Sequence, residues 1–289
     1  MRQVTIKLKR IKKDLWSATK KIYKHTLLKS AGEQRIGFIV GCQRSGTTML
    51  NNTFDNDLRT KVYGEGGLAK GYGRGTPFRL KSYEEVAQIF SQEKAPLLIA
   101  KPLVESQNIL QLLDYFPNSK AIWIYRNFRD VASSSLKKFG KNPTHYNLRA
   151  VIDPELSDHW YAERVSDTTR EIVKAYFTED RPIHDLKALG WYVRNVLFFE
   201  LRLADNPRVF LYNYEALVTE PDKWMRHIYQ FLEFDYPGDK IVAHIHSASV
   251  KKGRHVELSS DIQALCDELL EKLHAVYDSQ QQSAAYTSL

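Results

Sequence analysis

Arg44 stands inside a loop whose spacing suits an anion. Residues 36 to 50 read Ile-Gly-Phe-Ile-Val-Gly-Cys-Gln-Arg-Ser-Gly-Thr-Thr-Met-Leu. An apolar β run at 36–40 leads into a glycine-punctuated loop and then a hydroxyl-rich helix start. In that order the free N–H groups of the loop and the helix dipole favour a negative charge. Gly41, four residues, Gly46 and then Thr47 and Thr48 keep the register of a phosphate loop. A nucleotide-hydrolysing loop needs Lys where Thr47 stands, to reach the β- and γ-phosphates. Here the cation is Arg44 instead, so the loop suits a phosphate but not the triphosphate of ATP or GTP.

A second segment repeats the arrangement. Residues 121 to 139 read Ala-Ile-Trp-Ile-Tyr-Arg-Asn-Phe-Arg-Asp-Val-Ala-Ser-Ser-Ser-Leu-Lys-Lys-Phe. Arg126 at the end of a buried strand can grip a phosphate with two parallel hydrogen bonds. Ser133, Ser134 and Ser135 follow on the next helix. Ligands of open α/β sheets bind at the carboxyl ends of strands. Two such units imply a ligand with two separated phosphate groups.

These segments resemble the cofactor-binding motifs of sulfotransferases that use 3′-phosphoadenosine 5′-phosphosulfate (PAPS). Arg44-Ser45-Gly46-Thr47-Thr48 is similar to the loop that binds the 5′-phosphosulfate, preceded by Gln43. Arg126 and Ser134, eight residues apart, resemble the pair that binds the 3′-phosphate. Asn213-Tyr214-Glu215-Ala216-Leu217, with Glu220-Pro221, is similar to a signature after a late strand. Val250-Lys251-Lys252-Gly253-Arg254 resembles the C-terminal basic loop that also meets the 3′-phosphate. The four matches run in family order over roughly residues 36 to 257, closest to the Arg-Ser-Gly-Thr-Thr type of bacterial, carbohydrate and tyrosylprotein sulfotransferases.

The resemblance implies sulfuryl transfer from PAPS to an acceptor hydroxyl by in-line displacement, with 3′,5′-adenosine bisphosphate (PAP) as product and no metal. Positioning and electrostatics should supply most of such catalysis. Arg44 is then the cation at the leaving phosphate, with Thr47 and Thr48 as donors that also suit a helix start. Glu65 follows a short strand and a Gly, where it resembles the general base of tyrosylprotein and some carbohydrate sulfotransferases. Cytosolic small-molecule enzymes place a His after a Lys-Thr. Here that segment is Lys101-Pro102-Leu103-Val104-Glu105, so no His is carried over. Lys101 remains as a second cation at the sulfuryl group, and Glu105 as a fallback base.

Other features are weaker. His244 and His246 would share a face of a strand, but two ligands are too few for a metal site. Cys42 reads as a small packing residue, although a helix N-terminus could lower its pKa. Two further functions compete: a P-loop nucleotide kinase or NTPase, against which Thr47 speaks, and a non-catalytic nucleotide-binding membrane adaptor.

The elements that position these residues alternate. The pattern predicts strands at 36–40, 61–63, 97–101, 120–125 and 208–212. It predicts helices at 46–56, 82–91, 105–115, 129–138, 160–177, 184–204, 221–233 and 261–277. Residues 64–77 carry six Gly and a Pro and read as a mobile loop, residues 140–160 as irregular, and the last ten as frayed. The fold class is α/β, a single P-loop-like domain at 36–280 with a mainly parallel central sheet flanked by helices. Acceptor specificity should come from residues 64–78 and 140–190, the latter with His145, Tyr146, Trp160, Tyr161 and His184.

The net charge of +8 is unevenly placed. Residues 1 to 35 hold eleven Lys/Arg and two Asp/Glu, or +9, which leaves −1 for the other 254. This basic N-terminal helical extension either touches an anionic membrane surface or an acidic acceptor, or is a solvated helix packed on the domain or a partly disordered tail. No nucleic-acid partner is expected. Two cysteines and no span of roughly 20 apolar residues suggest a cytoplasmic protein, at most peripheral to a membrane.

Overall fold

The computed structural model describes residues 15, 16, 18–20, 22, 23, 33–70 and 79–286. Five strands form the central sheet: β1 (Arg35–Gly41), β2 (Thr60–Tyr63), β5 (Leu97–Ala100), β6 (Ser119–Tyr125) and β7 (Val209–Asn213). Their order is β2-β5-β1-β6-β7 and every pairing is parallel. A short antiparallel pair, β3 (Ala69–Lys70) and β4 (Arg79–Leu80), lies apart. The sheet strands read as continuous apolar runs because helices cover both faces. Phe38, Ile39, Val40, Leu98, Ile99, Ile122, Trp123 and Ile124 are all buried.

The helices are α1 (Thr47–Asp55), α2 (Tyr83–Ser91), α3 (Ile109–Tyr115), α4 (Phe128–Phe139), α5 (Asn142–Ile152), α6 (Asp167–Tyr176), α7 (Ile183–Glu200), α8 (Tyr214–Thr219), α9 (Pro221–Phe231) and α10 (Ser260–Tyr286). From β1 the chain moves outward to β2, returns to β5, then crosses β1 to β6 and β7. The reversal opens a crevice beyond the carboxyl ends of β1 and β6, where Arg44 and Arg126 lie.

Several expectations are corrected. Residues 140–160 are not irregular: α5 occupies most of them. Pro143 reads as a breaker but sits in the first turn, where its missing N–H costs nothing. The helix expected from 160 begins at Asp167, because the Ser166 hydroxyl accepts the Thr169 N–H and caps it there. The helix expected at 105–115 is a 3₁₀ segment (Leu103–Asn108) followed by α3. Residues 64–70 hold a 3₁₀ turn (Glu65–Gly67) and β3; residues 71–78 of the expected mobile loop lie outside the described residues. The last ten residues are not frayed up to Tyr286. Gln280 accepts the Leu211 N–H at 3.0 Å, which ties the late turns of α10 to β7.

Most of residues 1–35 also lie outside the described set. Those described between 15 and 23 are helical and meet the end of α1. Trp16 Nε1 donates to the Asp55 carbonyl at 2.9 Å, and buried Lys20 Nζ reaches Asp55 Oδ1 at 3.0 Å and Thr60 Oγ1 at 3.3 Å. Leu15 and Ile22 are exposed.

Candidate active site

Strand register brings the predicted residues together in pairs. Tyr63 of β2 pairs with Ala100 of β5, and the Lys101 N–H donates to the Tyr63 carbonyl at 3.0 Å. Glu65 and Lys101, just beyond those strand ends, therefore face each other. Lys101 Nζ donates to Glu65 Oε1 at 2.7 Å and to Thr48 Oγ1 at 3.1 Å. On the other side Tyr125 pairs with Asn213, so Arg126 and Tyr214 follow in parallel. The Arg126 guanidinium stacks over the Tyr214 ring at 4.5 Å.

The loop between β1 and α1 completes the arrangement. Gly46 has φ +93°, and a Cβ there would lie 2.2 Å from Tyr214 Cδ2, so only glycine fits. No side chain caps α1, which leaves its first-turn N–H groups without intrahelical partners. Arg44 also has a positive φ, 71°, in a region that non-glycine residues rarely occupy. That turn carries its side chain across to α4, where Arg44 Nε donates to Ser134 Oγ at 3.0 Å. Partial burial and the nearby Arg126 charge lower the Arg44 pKa, and Glu65 partly offsets them.

These elements wall one cleft of about 1430 Å³. Gln43, Arg44, Gly46, Thr47, Thr48, Glu65, Arg126, Ser134, Tyr214 and Lys252 all line it. Lys137 and Lys138 add charge along α4, against the carboxylates of Glu65 and Asp130 among the described lining residues. The net positive lining draws an anionic ligand.

Not every predicted residue joins it. Ser45 is fully buried and does not line the cleft. Lys251 and Arg254 line a separate cavity of about 280 Å³ with Glu215 and His274, and Arg254 Nε turns to His255. Burial raises the Glu215 pKa. Gly253 is pressed on the Arg129 backbone, where a Cβ would come within 2.3 Å. Glu105 is corrected as a base: its carboxylate accepts from Arg79 Nε (2.7 Å), the Leu80 N–H (3.1 Å) and Asn108 Nδ2 (2.9 Å). It anchors β4 instead. His244 is in a turn, not a strand, and meets Asn56 Nδ2 at 3.1 Å. Among the described residues no group of three His, Cys, Asp or Glu side chains could hold a metal. Burial pushes the Cys42 thiol up to about 12, against the lowering expected from a helix N-terminus.

Asp130 was missed in the sequence. Its buried carboxylate accepts from Arg126 Nη2 at 3.0 Å, from the Lys251 N–H at 2.9 Å and from the Gly253 N–H. Arg126 also donates to the Ser249 carbonyl, and the Ser249 hydroxyl bonds to the Tyr214 hydroxyl. One aspartate thus clamps the basic loop to the strand-end arginine. Its place as the acidic residue in the first turn of α4, just after Arg126 at the strand end, was the available signal.

Comparison with known proteins follows the geometry. The family model described as a sulfotransferase domain matches residues 36–273. Among solved structures, the sulfotransferase domain of the Synechococcus PCC 7002 olefin synthase is similar, with 19% identity and a TM-score of 0.55, covering 86% of this chain and 97% of that one. A sulfotransferase from Alicyclobacillus acidocaldarius has 15% identity and a TM-score of 0.49, covering 86% of this chain and 97% of its own. A search of curated proteins finds no match.

Proposed function

This chain belongs to the sulfotransferase family and is a sulfotransferase, and we propose that it moves the sulfuryl group of PAPS to an acceptor hydroxyl in the cleft of Arg44, Arg126 and Lys101. The observation that carries the reading is the convergence of Arg44, Arg126 and Glu65 on one cleft, with Lys101 bonded to the cleft-lining Glu65 and Thr48. Arg126, with Ser134 and Lys252 nearby, takes the 3′-phosphate. Arg44, Thr47, Thr48 and the first-turn N–H groups of α1 take the 5′-phosphosulfate. Glu65 accepts the acceptor's proton as its oxygen bonds to sulfur. The bond from sulfur to the 5′-phosphate oxygen breaks, and its electron pair leaves with PAP. Lys101, already bonded to both Glu65 and Thr48, orients the base and stabilises charge on the sulfuryl and leaving oxygens. No metal is needed in this scheme, because the lysine and arginines supply the positive charge.

The test is transfer of labelled sulfuryl from PAPS to a panel of phenols, sugars and tyrosine peptides, with and without Mg²⁺. Magnesium-independent transfer that collapses in Glu65→Gln supports the reading. Cleavage of Mg-ATP without PAPS turnover contradicts it.

We also propose that the basic charge of residues 1–35 favours contact with an anionic membrane surface. No described helix is long and apolar enough to cross one. Liposome sedimentation with and without residues 1–35 tests the contact, and equal sedimentation rejects it.

A further inference from the structure

A side pocket of about 250 Å³ opens beside the cleft, and Gln43, Leu103 and Phe139 belong to both. One face of α7 forms its far wall. Lys187, Trp191 and Arg194 follow at helical spacing of four and three residues, so all three point the same way. Trp160 and Tyr161 close the opposite side, and Arg194 stacks on both rings, at 5.2 and 5.4 Å.

The charges in this pocket are unmatched. Lys187 is 4% exposed and makes no ion pair or hydrogen bond among the described residues. Its pKa falls from 10.5 to about 8, with desolvation as the cause and no neighbouring carboxylate acting on it. Arg194 is also 4% exposed; its Nη2 donates to Gln107 at 3.0 Å, while Nη1 is buried without a partner. Glu105 and Glu163 act on Arg194 from a distance, but Arg79 already holds both. Among the described residues no acidic side chain lines the pocket. A buried charge needs a partner, and an unpaired donor in the interior is costly. Lys187 and Arg194 line only the side pocket, while Leu103 stands two residues after Lys101 at the shared mouth. A ligand that fills the pocket therefore puts its far end on the two cations and its near end by the reacting groups.

We propose that the side pocket holds the acceptor, and that the acceptor is a small aromatic hydroxy acid whose carboxylate is bound by Lys187 and Arg194. This deepens the sulfotransferase reading and rests on it. The aromatic walls suit a ring, and the volume, below the 300–1,000 Å³ common for drug-sized ligands, suits only one. The missing negative charge comes with the ligand, whose hydroxyl then faces Glu65.

The probes are 4-hydroxyphenylacetate and the uncharged 4-hydroxyphenylacetamide, titrated calorimetrically into the full chain with and without PAP. The wild type should bind the acid at least tenfold more tightly than the amide. Lys187→Met should cut that preference several-fold while leaving PAP binding unchanged, which also shows that the variant folds. Lys187→Gln should behave likewise. Equal binding of acid and amide, or binding of neither, overturns the proposal. Loss of PAP binding with the acid preference intact would instead overturn only the donor reading.

Discussion

The main cleft and the side pocket use their cations in opposite ways. At the cleft three cations hold internal partners: Arg126 has Asp130, Lys101 has Glu65, and Arg44 has Ser134, while Lys137, Lys138 and Lys252 add charge along its wall. In the side pocket, among the described residues, Lys187 has none and one arm of Arg194 is bare. The first arrangement holds its groups in place before any ligand arrives, as electrostatic preorganisation requires. The second leaves the charge balance to the ligand. The difference teaches that the cleft is organised before its ligand arrives, whereas the side pocket, if it holds the acceptor as proposed, states the chemistry of its ligand by what it lacks.

Breaking the cleft's pairs should have the largest effects. Glu65→Gln removes the proposed base but keeps its shape, so kcat should fall roughly 10²–10⁴-fold. PAP affinity should hold, and steady-state kinetics beside calorimetry separate the two. Arg126→Ala truncates a buried, hydrogen-bonded charge and leaves Asp130 with its two backbone donors but no cation. PAP affinity should drop by about 2–5 kcal/mol, measured by titration, while 5′-AMP affinity changes little.

Gly46→Ala attacks the packing between the two arginine-bearing units. It forces a Cβ into the Tyr214 ring at a φ that side chains avoid. Thermal unfolding should show a loss of about 1–3 kcal/mol.

A smaller effect of opposite sign sharpens the contrast. The folded Lys187 pKa lies near 8, below its ordinary 10.5, so between those values the unfolded chain binds more protons. Wild-type stability therefore rises across that window as the buried charge is relieved. Lys187→Met removes the penalty. It should raise the melting temperature at pH 7 by a few degrees, and the gain should shrink above pH 8 and vanish near 10.5. The same lysine lost from a paired site would destabilise instead.

The residues that wall the main cleft were legible in the sequence because its parts are local. Apolar strands at 36–40 and 120–125 are buried on both faces and end in loops whose glycines and arginines stand at fixed spacing. The sheet register then does the remaining work, which is why Glu65 met Lys101 and Arg126 met Tyr214. The side pocket was not legible. It draws on α4, α5, α7 and the turn at 160–161, and no short window holds those residues together. Trp160 and Tyr161 were singled out within 140–190, but Lys187 and Arg194 were not. His145, Tyr146 and His184 do not line the pocket. Pro143 concealed α5 because a proline ends one helix and begins another equally well. Glu105 looked available as a base until Arg79, across the segment 71–78, turned out to hold it.

The central claim is that two separate phosphate sites meet in one cleft. Calorimetric titration of PAP against 5′-AMP, without Mg²⁺, tests it most directly. The account predicts micromolar binding of PAP and a large loss of affinity when the 3′-phosphate is absent. Equal affinity for the two nucleotides, or a requirement for Mg²⁺, would contradict it.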